Sequence, residues 1–202
     1  MVEHVLDSLP QDVSPRLVAT TRSLAGQFEK KIGERSYVYG MWDRTRGQAD
    51  TIRLLLEQIG YAPTQGGVLV VNVDNILPTQ SLASLRLTAD MVSASCSIMV
   101  HQSTDRSCSY VDNVLNPRVF LEKPDRPPSE FAMSGAWWFR SGNLLLEALE
   151  KLDRVCPEGE VYLSQALQYL PGRKVCVPVA PAEVVDWGTP EKLAASGARL
   201  VD

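Results

Sequence analysis

The sequence predicts an α/β fold built on a largely parallel sheet, and three observations carry that expectation. Val68, Leu69, Val70 and Val71 form an unbroken apolar run, which suits a strand buried on both faces. Just before it, Ile52, Leu55, Leu56 and Ile59 recur at helical spacing and stop at Gly60, a natural C-terminal glycine. From Val2 to Val71, helical and strand-like segments alternate, the pattern of βαβ units.

Taken in order, Val2, Val5, Leu6 and Leu9 mark an amphipathic first helix that Pro10 ends. Arg16 to Thr20 reads as a strand, Ser23 to Lys31 as a helix and Ser36 to Tyr39 as a second strand. Gly47 then opens the helix whose buried face is noted above. Beyond the Val68 strand, Leu82 to Thr88 reads as a helix and Ala94 to Val100 as an alternating strand. Ser109 to Leu115 and Arg118 to Glu122 read as two strands joined at Asn116-Pro117. Lys123 to Ser129 is a proline-rich, charged loop, and Phe131 to Arg140 an aromatic strand. Leu144 to Leu152 and Val161 to Leu170 read as helices. Lys174 to Val179 and Glu183 to Val185 are late strands. Thr189 caps a last helix with Pro190 at its first position.

The 202 residues suit one domain spanning 1–202. Hydrophobic residues make up 45% and charged residues 22%, ordinary for a soluble globular chain. A net charge of −4 leaves no basic footprint for nucleic acid. No apolar run approaches a membrane span, and the first residues lack a signal peptide's basic start. Cys96, Cys108, Cys156 and Cys176 show no metal-type spacing, so a reduced cytoplasmic protein is expected. His4 and His101 stand apart without a ligand cluster.

Asp74 follows the Val68 strand. Ligands in open α/β sheets bind outside the carboxyl ends of strands, and an acid there suits a metal on a bound phosphate; a helix-capping loop Asp is the bland alternative. Asp186 also follows an apolar strand-like run, and it could instead stiffen the turn before Thr189. Glu122-Lys123-Pro124 offers a point charge for a phosphate, or simply an exposed ion pair. Gly135 permits close approach of a ligand to backbone, or marks a kinked strand. Gly47 at a helix start could present N–H groups to a phosphate, with Arg44 and Arg46 beside it; a solvated charged loop is equally open. Trp42 could stack on a base or belong to the core. Trp137 and Trp138 point to opposite faces if their segment is a strand.

Together, Gly47-Gln48-Ala49-Asp50-Thr51-Ile52, Val71-Asn72-Val73-Asp74-Asn75, Glu122-Lys123-Pro124 and Val185-Asp186-Trp187-Gly188-Thr189-Pro190 resemble the sugar-1-phosphate nucleotidyltransferases, or nucleotide-sugar pyrophosphorylases. Ser109-Tyr110-Val111, Ser134 to Phe139 and Glu160-Val161-Tyr162-Leu163-Ser164 extend the resemblance over nearly the whole chain. It implies a three-layer α/β/α sandwich with a mixed, mainly parallel Rossmann-like sheet. It also implies transfer of a nucleotidyl group from a nucleoside triphosphate to a sugar 1-phosphate, with release of pyrophosphate. By that resemblance Asp74 and Asp186 bind Mg²⁺, and Lys123 joins them in catalysis. Gly47, Glu122, Lys123, Gly135 and Glu160 bind substrate. A homo-oligomer, or pairing with a complete homologue, is compatible with it. A glycosyltransferase of related fold is disfavoured because Asp74 is followed by Asn75-Ile76 rather than completing an Asp-Xaa-Asp motif.

The family resembled also carries a first strand and a Gly-rich loop with a Gly-Thr-Arg core, which cradles the triphosphate. No Gly-Xaa-Gly-Thr-Arg occurs in these residues. The resemblance therefore implies half a nucleotide site and a sheet short of a central strand, with backbone groups to be covered. The leading expectation is an enzyme shortened at its N-terminus. A catalytically deficient homologue that binds nucleotide-sugar as a regulatory subunit is the alternative, as is a chain that takes the segment from another.

Overall fold

A computed structural model describes residues 1–41, 45–60, 67–171, 176–179 and 184–195, with backbone alone at 176–179, 185 and 186. The elements run α1 (Val2–Ser8), β1 (Leu17–Thr21), α2 (Arg22–Ile32), β2 (Tyr37–Met41), α3 (Gln48–Gln58), β3 (Val68–Val71), β4 (Asn75–Ile76) and α4 (Thr79–Met91). They continue through β5 (Cys96–Gln102), β6 (Tyr110–Val111), β7 (Phe120–Leu121), β8 (Phe131–Phe139), α5 (Gly142–Val155), α6 (Leu163–Ala166), β9 (Cys176–Val179), β10 (Val185–Asp186) and α7 (Pro190–Ala195).

Strand β8 organises the main sheet. Its run Ala132 to Phe139 is buried throughout, because layers pack on both of its faces and neighbours pair along both edges. β3 lies antiparallel to it with Val71 opposite Ala136, and β5 lies antiparallel with Cys96 opposite Phe139. The order is β7-β6-β8-β5-β9, with β3 joined to β8. β5 and β9 run parallel, as do β1 and β2 in a separate two-stranded sheet. The expected α/β fold with a mixed sheet is met. The parallel share among the described pairs is smaller than expected, because β8 is antiparallel to β3, β5 and β6.

Alternation along the strands assigns the layers. Cys96, Ile98, Val100, Trp137 and Phe139 face α3 and α5, joining Leu145, Leu149 and Leu152 in one core. Met99, Ala136 and Trp138 face the other way, onto Leu82, Leu85 and Ala89 of α4. The two tryptophans thus enter opposite layers, as period-two alternation demands. α1, α2 and β1 form a third, smaller cluster around Leu6, Val18 and Ile32. Ser141 caps α5 by accepting from the Asn143 N–H at 3.2 Å, and Thr189 caps α7 through the Lys192 N–H at 3.2 Å.

The strands expected at Ser109 to Leu115 and Arg118 to Glu122 shrink to two residues each. The cause is Asp112, whose carboxylate accepts from the backbone N–H groups of Asn113, Arg118 and Val119. Local side-chain bonds of this kind compete with a ladder. The single helix expected over Val161 to Leu170 is α6 followed by a 3₁₀ turn, Leu167–Tyr169.

Leu149→Ala should lower stability by about 2–5 kcal/mol, since it leaves a cavity in a close-packed layer. Met91→Ala, on the exposed face of α4, should change it by less than about 0.5 kcal/mol. Urea unfolding of both variants checks the pair.

Candidate active site

β3 stops at Val71, and the chain turns through Asn72 and Asp74 into β4. β4 pairs antiparallel with β10, placing Asp186 opposite Asn75. The Trp187 N–H donates to the Asp74 carbonyl at 2.7 Å. The two acids expected to act together are thereby carried on adjacent strand ends, although only the backbone of Asp186 is described. The Asp74 carboxylate accepts from Asn75 Nδ2 at 3.0 Å.

Gly135 interrupts β8 at this end, with φ of +75°. Its carbonyl accepts from the Asn72 N–H at 2.8 Å. A Cβ there would overlap Asn75 Nδ2 and press on the Asn72 side chain at 3.2 Å. The glycine thus has a reason within the fold, since a left-handed residue without a side chain lets the two asparagines in. Asn72 is held from the far side by Gln48, whose Nε2 donates to its Oδ1.

Gln48 is the first residue of α3, and Gly47 before it has φ of +129°. A Cβ on Gly47 would meet the Val161 carbonyl at 2.5 Å. The segments cross here, with the Val161 N–H donating to the Arg46 carbonyl at 2.8 Å and the Ala49 N–H to the Val161 carbonyl at 3.2 Å. One of the N–H groups expected to face a phosphate is therefore already bonded. Arg46 is likewise engaged, donating to the Cys156 carbonyl at 2.9 Å and to Asp153. Arg44 and Trp42 lie outside the described residues. Asp50 fixes the turn by accepting from the Arg46 N–H at 3.0 Å and from Arg53 at 2.9 Å. Burial pushes its pKa up, but that N–H and the Arg53 guanidinium outweigh it and hold the carboxyl below its ordinary value.

Beyond the crossing, Glu160 and Tyr162 lead into α6 and meet Lys123. The Lys123 ammonium donates to Tyr162 Oη at 3.1 Å and sits 4.6 Å from the ring centroid. The bond from Tyr162, against a smaller effect of burial, raises the lysine pKa, with the charges of Glu122 and Glu160 adding to it. Tyr162 is pushed up first by its hydrogen bond to Glu160 and then by burial, so it stays neutral. Lys123 is one of two non-glycine residues with positive φ among the described residues, at +42°, a backbone choice that costs energy. Glu122 is anchored through Oε2, which accepts from Ser109 Oγ at 2.5 Å and Ser164 Oγ at 2.7 Å. Its Oε1 lies 3.9 Å from the Lys123 ammonium.

These links form one continuous arc from Asp74 through Asn75, Gly135, Asn72, Gln48 and the Glu160–Leu163 segment to Lys123 and Glu122. Sequence reasoning gave no role to Gln48, Asn72, Asn75, Ser109, Tyr162 or Ser164. All six stand inside the quoted motifs, and the signal available was their polarity at ends of otherwise apolar segments. Among the described residues, no three His, Cys, Asp or Glu side chains cluster as a metal cage. Mg²⁺ does not require such a cage, because that ion keeps waters and takes oxygens from substrate phosphates.

Comparison with known proteins bears on the fold. No protein-family model matches the chain. It is similar to the bifunctional protein GlmU of Lactobacillus helveticus, 25% identical over 178 residues that cover 84% of this chain and 38% of that protein. The chain thus spans well under half the length of that relative. The fold is shared with the nucleoside-diphosphate-sugar pyrophosphorylase of Vibrio cholerae, at TM-score 0.73 and 20% identity, covering 96% of this chain and 85% of that one. It is shared too with a Bacillus anthracis protein carrying the provisional name glucose-1-phosphate thymidylyltransferase, solved with sucrose, at TM-score 0.78 and 16% identity, covering 100% and 83%. The chain therefore has the Rossmann-like α/β fold of nucleotide-sugar pyrophosphorylases, and the resemblance read from its motifs is met in both sequence and structure.

Two substitutions probe the arc. Gly135→Ala should cost about 1–3 kcal/mol, from its strained φ and the displaced Asn75, read as a fall in urea midpoint. Asp50→Asn should lower stability at neutral pH and lose that effect on acidification. A depressed carboxyl pKa contributes stability above the unfolded value near 3.8 and loses it as pH falls through the folded one. Unfolding curves at pH 7 and pH 3 test this; an equal deficit at both would contradict it.

Proposed function

We propose that the chain supplies the site of a sugar-1-phosphate nucleotidyltransferase, moving a nucleoside monophosphate from a nucleoside triphosphate to a sugar 1-phosphate or similar phosphorylated metabolite. The observation that carries the reading is the β4–β10 ladder, which sets the backbone of Asp186 beside that of Asp74 at one end of the Gly135 arc. Two anionic reactants must meet here, so positioning and charge neutralisation are the main requirements. Asp74 and Asp186 are the residues that would hold Mg²⁺, which would neutralise phosphate charge when bound. Lys123, kept protonated beside neutral Tyr162, meets the sugar phosphate as a point charge. Glu122, with Oε2 already bonded, keeps Oε1 to accept from Lys123 or a sugar hydroxyl. Glu160 backs this end through Tyr162. The reactants are small and soluble, and no helix among the described residues is long and apolar enough to cross a membrane; a cytoplasmic setting fits this.

A second reading has its own support. Arg46, beside the start of α3, is taken up by Asp153 and the Cys156 carbonyl and so is not free for a triphosphate, which favours a chain that binds nucleotide-sugar as a regulatory subunit, pairing with a copy of itself or with a complete homologue.

Lys123→Ala should weaken glucose 1-phosphate binding by about tenfold or more, the 1.5–3 kcal/mol of a charged hydrogen bond, in calorimetric titration. Asp74→Ala should abolish Mg²⁺-dependent nucleotide binding. Unchanged titrations in both variants would sink the site. Pyrophosphate release from a panel of triphosphates separates the two readings, since the regulatory subunit gives none.

A further inference from the structure

Lys123 is a cation half exposed to water, yet it is held in one place. An exposed lysine ordinarily samples many rotamers, and fixing one costs side-chain entropy. Here the ammonium donates to Tyr162 Oη at 3.1 Å, with the ring centroid 4.6 Å away. The backbone is held too. Pro124 favours an extended residue before it, so the left-handed φ of +42° at Lys123 depends on contacts outside the dipeptide. Tyr162 can supply them because its own backbone is clamped. The Val161 N–H donates to the Arg46 carbonyl at 2.8 Å, the Tyr162 N–H to Gln165 Oε1 at 2.9 Å and the Leu163 N–H to Gln48 Oε1 at 3.4 Å. The Tyr162 hydroxyl, which accepts from Lys123, is also hydrogen-bonded to Glu160.

We infer that Tyr162 is a positioning residue, a neutral tether that orders the Lys123 ammonium for a phosphate and keeps Glu160 one side chain behind it. The inference rests on the reading of Lys123 as the contact to the sugar phosphate. A phenol suits this task better than the alternatives. A carboxylate in its place would pair with the ammonium directly and repel an incoming phosphate. A hydrocarbon would leave the ammonium free to wander. The phenol fixes direction without taking the charge. An ammonium carries three N–H donors, and Tyr162 takes one of them. Glu122 Oε1, at 3.9 Å, is beyond hydrogen-bond reach, so donors remain to face a phosphate. Ordering the cation before the ligand arrives removes part of the entropy cost of binding. The same hydrogen bond is the first cause of the raised lysine pKa, as expected of a contact that favours the charged form.

The test is a double-mutant cycle on the full chain, read by calorimetric titration of glucose 1-phosphate. Tyr162→Phe keeps the ring and removes only the hydroxyl. It should weaken binding about fivefold, the scale of one net hydrogen bond. In a Lys123→Ala background the same substitution should change binding by less than about twofold, because the tether has nothing left to hold. No loss in the first background, or an equal loss in both, would overturn the inference, since Tyr162 would then act on the sugar or on the fold. A second readout needs no sugar. The nitrogen signal of the Lys123 ammonium, assigned by its loss in Lys123→Ala, should be resolved in the native chain at mildly acid pH and low temperature. It should broaden away in Tyr162→Phe, where the untethered ammonium exchanges faster with water. Its absence from the native chain, or its persistence in the variant, would sink the tether. If the native chain does not bind glucose 1-phosphate, or Lys123→Ala binds it equally well, the sugar-phosphate reading fails and the ammonium signal alone decides the tether.

Discussion

The structure turns on the contact between Gly135 and the two asparagines that follow β3. β8 is paired along both edges, and its glycine lies where β3 ends. The Asn72 N–H is held by the Gly135 carbonyl, and the absent Cβ leaves room for the side chains of Asn72 and Asn75. That contact fixes where the chain leaves the sheet, and so where β4 begins. β4 in turn sets the register of β10, which places Asp186. The backbone position of both acids therefore traces back to one residue without a side chain, set between Ser134 and Ala136 in the middle of β8.

A second close approach does the same for the other half of the arc. Gly47 admits the Val161 backbone, and the resulting crossing ties the start of α3 to the segment that carries Glu160 and Tyr162. Gln48 then spans the gap, donating to Asn72 and accepting from the Leu163 N–H at 3.4 Å. Amide side chains can do both at once, which a carboxylate or a hydrocarbon could not. Buried Asp50 and half-buried Arg53 stand behind this crossing as an ion pair. Their cost in desolvation is offset by bonds to backbone and to each other.

The fold was largely readable from periodicity because its apolar segments are long. α3, α5, β5 and β8 each carry enough buried positions for the repeat to stand out. Short elements were misread for the opposite reason: β4 is two residues, and β6 and β7 are cut short by Asp112, which no hydrophobic pattern reports. In the site, Asp74, Glu122 and Lys123 could be named from residue type and place, and Gly135 from its incongruity in a strand. Tyr162 could not, since its role depends on a meeting with Lys123 that bridges 39 positions of sequence. Arg46 misled in the other direction. A cation before a helix start suits a phosphate, but only the fold reveals Asp153 and the Cys156 carbonyl as its partners.

The two ends of the arc differ in how their polar groups are answered. At the Lys123 end, ammonium, phenol and two carboxylates form a bonded set from Ser109 to Tyr162, and a strained backbone at Lys123 is held in place by it. Strain of that sort persists only where surrounding contacts over-determine it, so this end is rigidly held. At the Asp74 end the polar turn is well held, and the strand behind it pairs with β8 among the described residues. The turn that carries Asp74 is therefore held through backbone and amide contacts, the Gly135 carbonyl and the Gln48 amide both bonding to Asn72, so its geometry follows the packing of β8 and α3.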